Sequence, residues 1–417
     1  MAAMLNYNCD ADKCSINPGS IFMTSSPLPA TTPEDIGLSS PALARLGKVL
    51  SSEVASGRVP GAVALVARRG RIAYFESFGR RDPAGGAPMT RESIFRIYSM
   101  TKPIVSVAAM MLWEEGRFLL SDPIAKYLPE LAGPKVAVQR GAEIELVPQA
   151  RPITIQDLLR HTSGLTYEFR GGGPVHKMYM AAKIYNRHQS NADQVAALSK
   201  LPLLYQPGSM WEYSRSTDVL GRLIEVLSGG TLGDYLQRSI LAPLGMIDTA
   251  FHVPASDHAR LAEAFAKDPD SGAAVQLINV NDAPQFESGG GGLVSTAGDY
   301  ARFLQMLLNN GTLEGVRFLS RKTVELMTAD HLGPITGAAD LLLPGYGFGL
   351  GFAVRMQAGI SHVPGSIGQY FWGGLAGTTF WVDPAEQLFA IMLIQAPGQR
   401  DYYRTLFRDL VYAAFAD

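Results

Sequence analysis

The sequence predicts an α/β fold in which one antiparallel sheet, flanked by helices, is built from N- and C-terminal segments around a mostly helical inserted domain. Two apolar hairpins at opposite ends of the chain and the helical periodicity between them predict it. Near the start, Gly61-Ala-Val-Ala-Leu-Val-Ala-Arg68 and Arg71-Ile-Ala-Tyr-Phe-Glu-Ser-Phe78 are short β-branched or aromatic runs joined at Arg69-Gly70. Near the end, Gly377-Thr-Thr-Phe-Trp-Val382 and Leu388-Phe-Ala-Ile-Met-Leu-Ile394 flank the turn Asp383-Pro-Ala-Glu-Gln387. The expected organisation is a polar arm over 1–36, a discontinuous sheet domain over 37–95 and about 290–417, and a helical domain over about 96–289. A cleft between the two halves is the natural place for a site.

The elements follow in order. Ser40-Pro41 opens a helix through Val54, with the serine as N-cap and proline in the first turn. Helical spacing recurs over 99–113, 154–161, 191–200, 216–227, 232–240 and 296–308, and an amphipathic helix closes the chain over about 401–415. No internal repeat is visible.

Composition limits the function. With 417 residues, 47% hydrophobic and 18% charged, the chain can bury a large core. A net charge of -2 and no basic stretch interleaved with aromatics argue against nucleic acid. The apolar run over 104–113 is far shorter than a membrane span, and the N-terminus lacks the pattern of a secretory signal, so no membrane partner and a cytoplasmic location are expected. Cys9 and Cys14 read as free thiols in the polar arm.

Ser99-Met-Thr-Lys102 heads an apolar run. On a helix the two polar residues lie one turn apart on one face, so the amine can reach the hydroxyl. Pro103 fits the first turn, and the helix N-terminus favours negative charge at the serine. The spacing also arises by chance, and serine is a common helix cap. Further parts decide between these readings. Tyr213 precedes a helix whose apolar face is Val219, Leu220, Leu223 and Val226; its phenol either points into a cleft or packs. Trp372-Gly373-Gly374 places two glycines beside a strand, which suits close approach of a ligand to backbone, or a plain turn.

Together, Ser99-Met-Thr-Lys102, Ile153-Thr-Ile-Gln-Asp-Leu-Leu-Arg-His-Thr-Ser-Gly-Leu165, Tyr213-Ser214, Ser288-Gly-Gly-Gly-Gly-Leu-Val-Ser-Thr296 and Trp372-Gly-Gly374 resemble the serine β-lactamase superfamily. Within it the chain most resembles the family VIII carboxylesterases, relatives of class C β-lactamases and D-Ala-D-Ala peptidases. The resemblance runs from about residue 35 to the C-terminus. It implies the serine β-lactamase-like fold, Ser99 as acylated nucleophile, Lys102 as its base, and Tyr213 as the relay to the leaving group. It also implies an oxyanion hole from the backbone N–H groups of Ser99 and Leu375, and substrate contact along Trp372, Gly373 and Gly374.

Two positions depart from the family pattern. Arg215 stands where Tyr-x-Asn has its amide, as a candidate substrate contact, and Trp372 replaces the lysine of Lys-Thr-Gly. An indole substitutes a flat apolar wall for a cation, which favours neutral esters over substrates with a carboxylate. Tyr167, Phe169, Tyr179, Tyr185, Phe348 and Phe371 either line an acyl pocket or pack in the core.

The implied function is hydrolysis of a small-molecule ester through an acyl-enzyme, without cofactor or metal. β-Lactamase, D-aminopeptidase and acyltransferase activities stay open, as does a non-catalytic sensor or scaffold. No Gly-x-Ser-x-Gly elbow is present, the seven histidines form no zinc motif, and Gly289 to Gly292 lacks the ending of a phosphate loop and reads as a tight turn. His161 reads as a structural cap at a helix end.

Overall fold

The computed structural model describes residues 28–417 except 142 and 338–340. Cys9, Cys14 and most of the expected polar arm lie outside the described residues. Seven strands form one antiparallel sheet: β1 (Gly61–Arg68), β2 (Arg71–Gly79), β3 (Tyr346–Phe348), β4 (Ala353–Arg355), β5 (Tyr370–Gly373), β6 (Thr379–Asp383) and β7 (Leu388–Ile394). Their order across the sheet is β2-β1-β7-β6-β5-β4-β3, so the two ends of the chain meet where β1 pairs with β7.

Continuous apolar runs rather than alternation mark the central strands because both faces are covered. In β1, Val63, Leu65 and Ala67 enter one core while Ala62, Ala64 and Val66 enter the other. The second core is closed by α1 (Ser40–Ala55) and the C-terminal helix, Arg400–Tyr412, through Leu43, Leu46, Leu50, Tyr403, Phe407 and Val411. The first and larger core joins the sheet to the inserted helices. Its centre is α2 (Thr101–Glu114), buried almost all round as its sequence of Ile, Val, Ala, Met and Leu requires. Helix α3 (Ser216–Ser228) packs on α2, and α4 (Ala297–Leu308) packs on β7 and β1. The C-terminal helix is α5.

Local chemistry explains the details. Arg69 and Gly70, at φ 52° and 76°, make the tight turn between β1 and β2. The cap of α1 is Ser39 rather than Ser40, because its side chain reaches the Ala42 amide while Pro41, with no N–H to satisfy, fills the second helical position. The helix expected over 154–161 is shorter, Ile155–Leu159, with Thr154 and Asp157 forming a capping box and His161 turned to φ 58°. The middle of the chain also holds a half-exposed hairpin of Lys135–Arg140 with Glu143–Pro148, mixed in apolar and charged residues. Among the described residues no helix is long and apolar enough to cross a membrane.

Candidate active site

Ser99 lies in a 3-10 turn, Tyr98–Met100, that runs directly into α2. Met100 holds the cap position of α2, so Ser99 sits just outside the helix instead of capping it. The turn is strained: Tyr98 adopts φ 44°, a region that costs a bulky residue about 1–3 kcal/mol. Its surroundings hold it there. The Ile278 amide donates to the Tyr98 hydroxyl at 3.0 Å, the Ile97 amide to Leu293 O at 3.1 Å, and the Tyr300 hydroxyl to Met100 O at 2.9 Å.

Lys102, in the first turn of α2, is buried. Its Nζ donates to Ser99 Oγ at 3.2 Å, to the Tyr167 hydroxyl at 3.0 Å and to Gly290 O at 2.6 Å. An ammonium has three donors, and these acceptors engage all of them. The same nitrogen stands 4.4 Å from the centre of the Tyr213 ring, a cation–π contact. The Ser288–Gly292 loop can bring its carbonyl this close only because Gly289 and Gly290 lack side chains. A Cβ on Gly289 would sit 2.5 Å from Thr217 O, and one on Gly290 would sit 2.8 Å from the Tyr167 hydroxyl. Asp218 on α3 fixes the loop by accepting from Ser288 Oγ at 2.6 Å and the Gly290 amide at 2.9 Å.

Tyr213 enters from the segment before α3 and is enclosed by rings. Tyr167, His161 and Trp372 stand 5.3, 5.0 and 5.2 Å from it, centre to centre. The Trp372 indole donates to the Tyr213 hydroxyl at 3.3 Å, and since indole nitrogen is donor only, the phenol oxygen must accept. Trp372 itself is buried against Phe348. Burial, with Lys102 nearby, holds His161 well below the usual histidine range, so it is a neutral packing partner here. Burial likewise pushes the Tyr167 hydroxyl well above its ordinary value, and the nearby Asp218 carboxylate pushes it the same way.

Downstream of Trp372 the strand turns across the Ser99 segment. Thr378 Oγ1 donates to Ile97 O at 3.2 Å, the Gly374 amide donates to Thr378 O at 2.8 Å, and a Cβ on Gly374 would lie 2.4 Å from Ile97 O. Glycine is therefore required two residues along from Trp372. Leu375 follows and is 46% exposed. Arg215 is placed differently from a substrate contact. It is buried, paired with Glu168 at 2.5 Å and Asp218 at 3.3 Å, and its guanidinium lies 4.6 Å from the Tyr167 ring centre. Its contact with the site runs through Tyr167.

The fold thus gathers Ser99, Lys102, Tyr213 and Trp372 in one cluster. Three members went unassigned by sequence reasoning. The sequence offers Tyr167 only as a pocket wall or core ring and the Gly290 carbonyl only as part of a turn, and carries no sign of Asp218. The lone signal for Tyr167 was its position two residues after Gly164-Leu165.

A serine and a buried lysine one turn apart, beside an antiparallel sheet closed by both chain ends, define the serine β-lactamase fold class. The chain belongs to the Beta-lactamase family, whose model matches residues 46–413. An uncharacterized protein of Mycobacterium tuberculosis is 38% identical over 352 residues, covering 82% of this chain and 86% of its own length. Esterase EstB of Burkholderia gladioli is 32% identical over 390 residues, covering 89% and 95%. The solved structure of EstCE1, described as a hydrolase with promiscuous acyltransferase activity, aligns with a TM-score of 0.74 at 28% identity, covering 89% of this chain and 99% of that one.

Proposed function

We propose that the protein is a carboxylesterase that hydrolyses uncharged short-chain esters through an acyl-enzyme on Ser99. The observation that carries this reading is the 3.2 Å contact between Lys102 Nζ and Ser99 Oγ. With the proton that Lys102 Nζ points at Ser99 given up, the neutral amine turns its lone pair to Ser99 Oγ and takes the hydroxyl proton as the oxygen attacks the ester carbonyl. The carbonyl oxygen becomes an oxyanion facing the Ser99 and Leu375 amides, donors of a kind worth about 2.7–4 kcal/mol each. Collapse breaks the bond to the leaving alcohol, which receives a proton through Tyr213. Water then attacks the acyl-enzyme, gives up its proton by the same route, and releases the acid and the free serine.

Trp372 supports the choice of a neutral substrate. Desolvating a carboxylate without a partner costs several kcal/mol, and the indole, turned to Tyr213, supplies no cation. EstB carries the name esterase, in keeping with this reading. A second reading, transfer of the acyl group to an alcohol in place of water, is favoured by the acyltransferase activity in the description of EstCE1.

A fluorophosphonate probe, followed by a panel of p-nitrophenyl esters and a cephalosporin, tests the proposal. Labelling at Ser99 and a higher kcat/KM for the neutral esters are expected. An unlabelled folded protein would point to a non-catalytic scaffold, and a preference for the cephalosporin to a β-lactamase.

A further inference from the structure

Behind the Trp372-Gly373-Gly374 strand, on the face away from Tyr213, stands Arg404 of α5. Successive side chains of a strand point to opposite faces. Trp372 meets Tyr213, while the space where Gly373 would carry its side chain is filled by the Arg404 guanidinium: a Cβ there would lie 2.6, 2.8 and 2.9 Å from Nη2, Cζ and Nε. Nη2 donates to the Gly374 carbonyl and, at 3.4 Å, to Thr378 O. Nη1 faces the exposed Asp401 at 3.5 Å, and Nε is buried without a hydrogen-bond partner.

The Gly374 carbonyl shares its peptide unit with the Leu375 N–H. In a trans peptide these two groups point in opposite directions, and the described chain has no cis bonds. A donor that holds the carbonyl toward α5 therefore aims the N–H toward the other side of the strand, where Gly374 rests on Ile97 O two residues before Ser99. A charged donor on the carbonyl also polarises the amide and strengthens its N–H as a donor. We propose that Arg404 is a positioning residue for the oxyanion hole, fixing and polarising the Gly374–Leu375 peptide, and that Gly373 lacks a side chain to admit it. This rests on the esterase reading, in which the Leu375 N–H receives the oxyanion. A guanidinium that only tied α5 to the sheet would affect stability and leave the chemical step alone.

The test uses the full chain with Arg404→Met, Arg404→Lys, Gly373→Ala and the double variant Gly373→Ala/Arg404→Met. The readouts are kcat and KM for a neutral short-chain ester, the inhibition constant of an arylboronic acid that forms a tetrahedral adduct on the serine, and the thermal midpoint. Arg404→Met should lower kcat by about tenfold or more, short of the loss of a whole oxyanion donor, with KM within about twofold. Boronate affinity should fall in step, and Arg404→Lys should recover part of both. Gly373→Ala should reproduce the loss by displacing the guanidinium, and the double variant should be no worse than either single one. If Arg404→Met does not fold, Gly373→Ala carries the test. Folded variants with unchanged kcat and boronate affinity, or a loss confined to KM or the thermal midpoint, overturn the inference alone. A wild type whose Ser99 takes no fluorophosphonate label overturns the esterase reading and this inference together.

Discussion

The two walls of the site are built in opposite ways. The Ser99 wall is polar and centred on a local pair: Ser99 and Lys102 come from four consecutive residues, and the lysine donates to the Ser99 hydroxyl, the Tyr167 phenol and the Gly290 carbonyl. The Trp372 wall is aromatic and assembled from afar, with Tyr213 more than a hundred residues from Trp372 in sequence and Phe348 on β3, separated from the β5 of Trp372 by β4. The difference separates two tasks. Under the proposed function, the polar wall would hold what acyl transfer needs whatever the acyl group, while the aromatic wall, where an indole stands at position 372, would decide which substrates are worth desolvating.

The sharpest way to break this division is at the polar wall. Ser99→Ala should remove ester turnover, and Lys102→Ala should come close, each by about a thousandfold or more, with the double variant no worse because the pair acts as one unit. Steady-state assays with p-nitrophenyl acetate measure this. A Lys102→Ala protein with wild-type rates would remove lysine from the reaction.

Next comes the residue shared by both walls. Tyr213→Phe loses the oxygen that accepts from Trp372 but keeps the ring over Lys102. The fold should persist by circular dichroism while turnover drops by about a hundredfold, the scale of a general acid–base group. Near-normal turnover in the folded variant would leave Tyr213 a packing residue.

At the aromatic wall the effect should be on choice rather than rate. Trp372→Lys should raise the ratio of kcat/KM for a cephalosporin over a neutral ester by about tenfold, the scale of one partly exposed charge-assisted contact. Losing the buried indole should also lower thermal stability, since truncating large core aromatics costs about 3–5 kcal/mol. An unchanged ratio would mean that selectivity resides elsewhere.

An effect on stability alone, with none expected on turnover, concerns the segment that presents Tyr167. Burial by itself would raise the Asp157 carboxyl, but hydrogen bonds from Arg151, the Thr154 amide and Thr162 outweigh it and hold the group at about 2, below its ordinary 3.8. A lowered carboxylate contributes stability that is present above about pH 4 and is lost as pH falls through about 2, here about 2 kcal/mol. Asp157→Asn should flatten the acid limb of a denaturation curve over that window. An identical acid limb in the variant would assign the effect to other carboxylates.

The contrast between the walls also explains what could be read from the sequence. Apolar runs long enough to cross a two-sided sheet, as in β1 and β7, announce themselves, and so does a serine–lysine pair within one helical turn. Strands β3 and β4 have three residues each and lie among glycines, so they carry no period to detect; pairing of β4 with β5 and of β3 with β4 makes them strands. The helix expected to begin at Ser99 begins at Thr101, because tertiary bonds to Tyr98 and Met100 impose a strained turn that propensity does not foresee. Tyr167, Gly290 and Asp218 were missed for a related reason. Their roles depend on a glycine loop threading between α2 and α3, and a glycine run looks the same whether it makes a turn or delivers a carbonyl.

The proposed role of Ser99 as nucleophile can be tested on the acyl-enzyme itself. Wild type and Ser99→Ala should be quenched in acid during slow turnover of an ester, digested, and mapped by mass spectrometry. An acyl mass increment is expected on the Ser99 peptide of the wild type and none on the variant. An acyl group on another residue, or equal ester turnover by Ser99→Ala, would contradict that role.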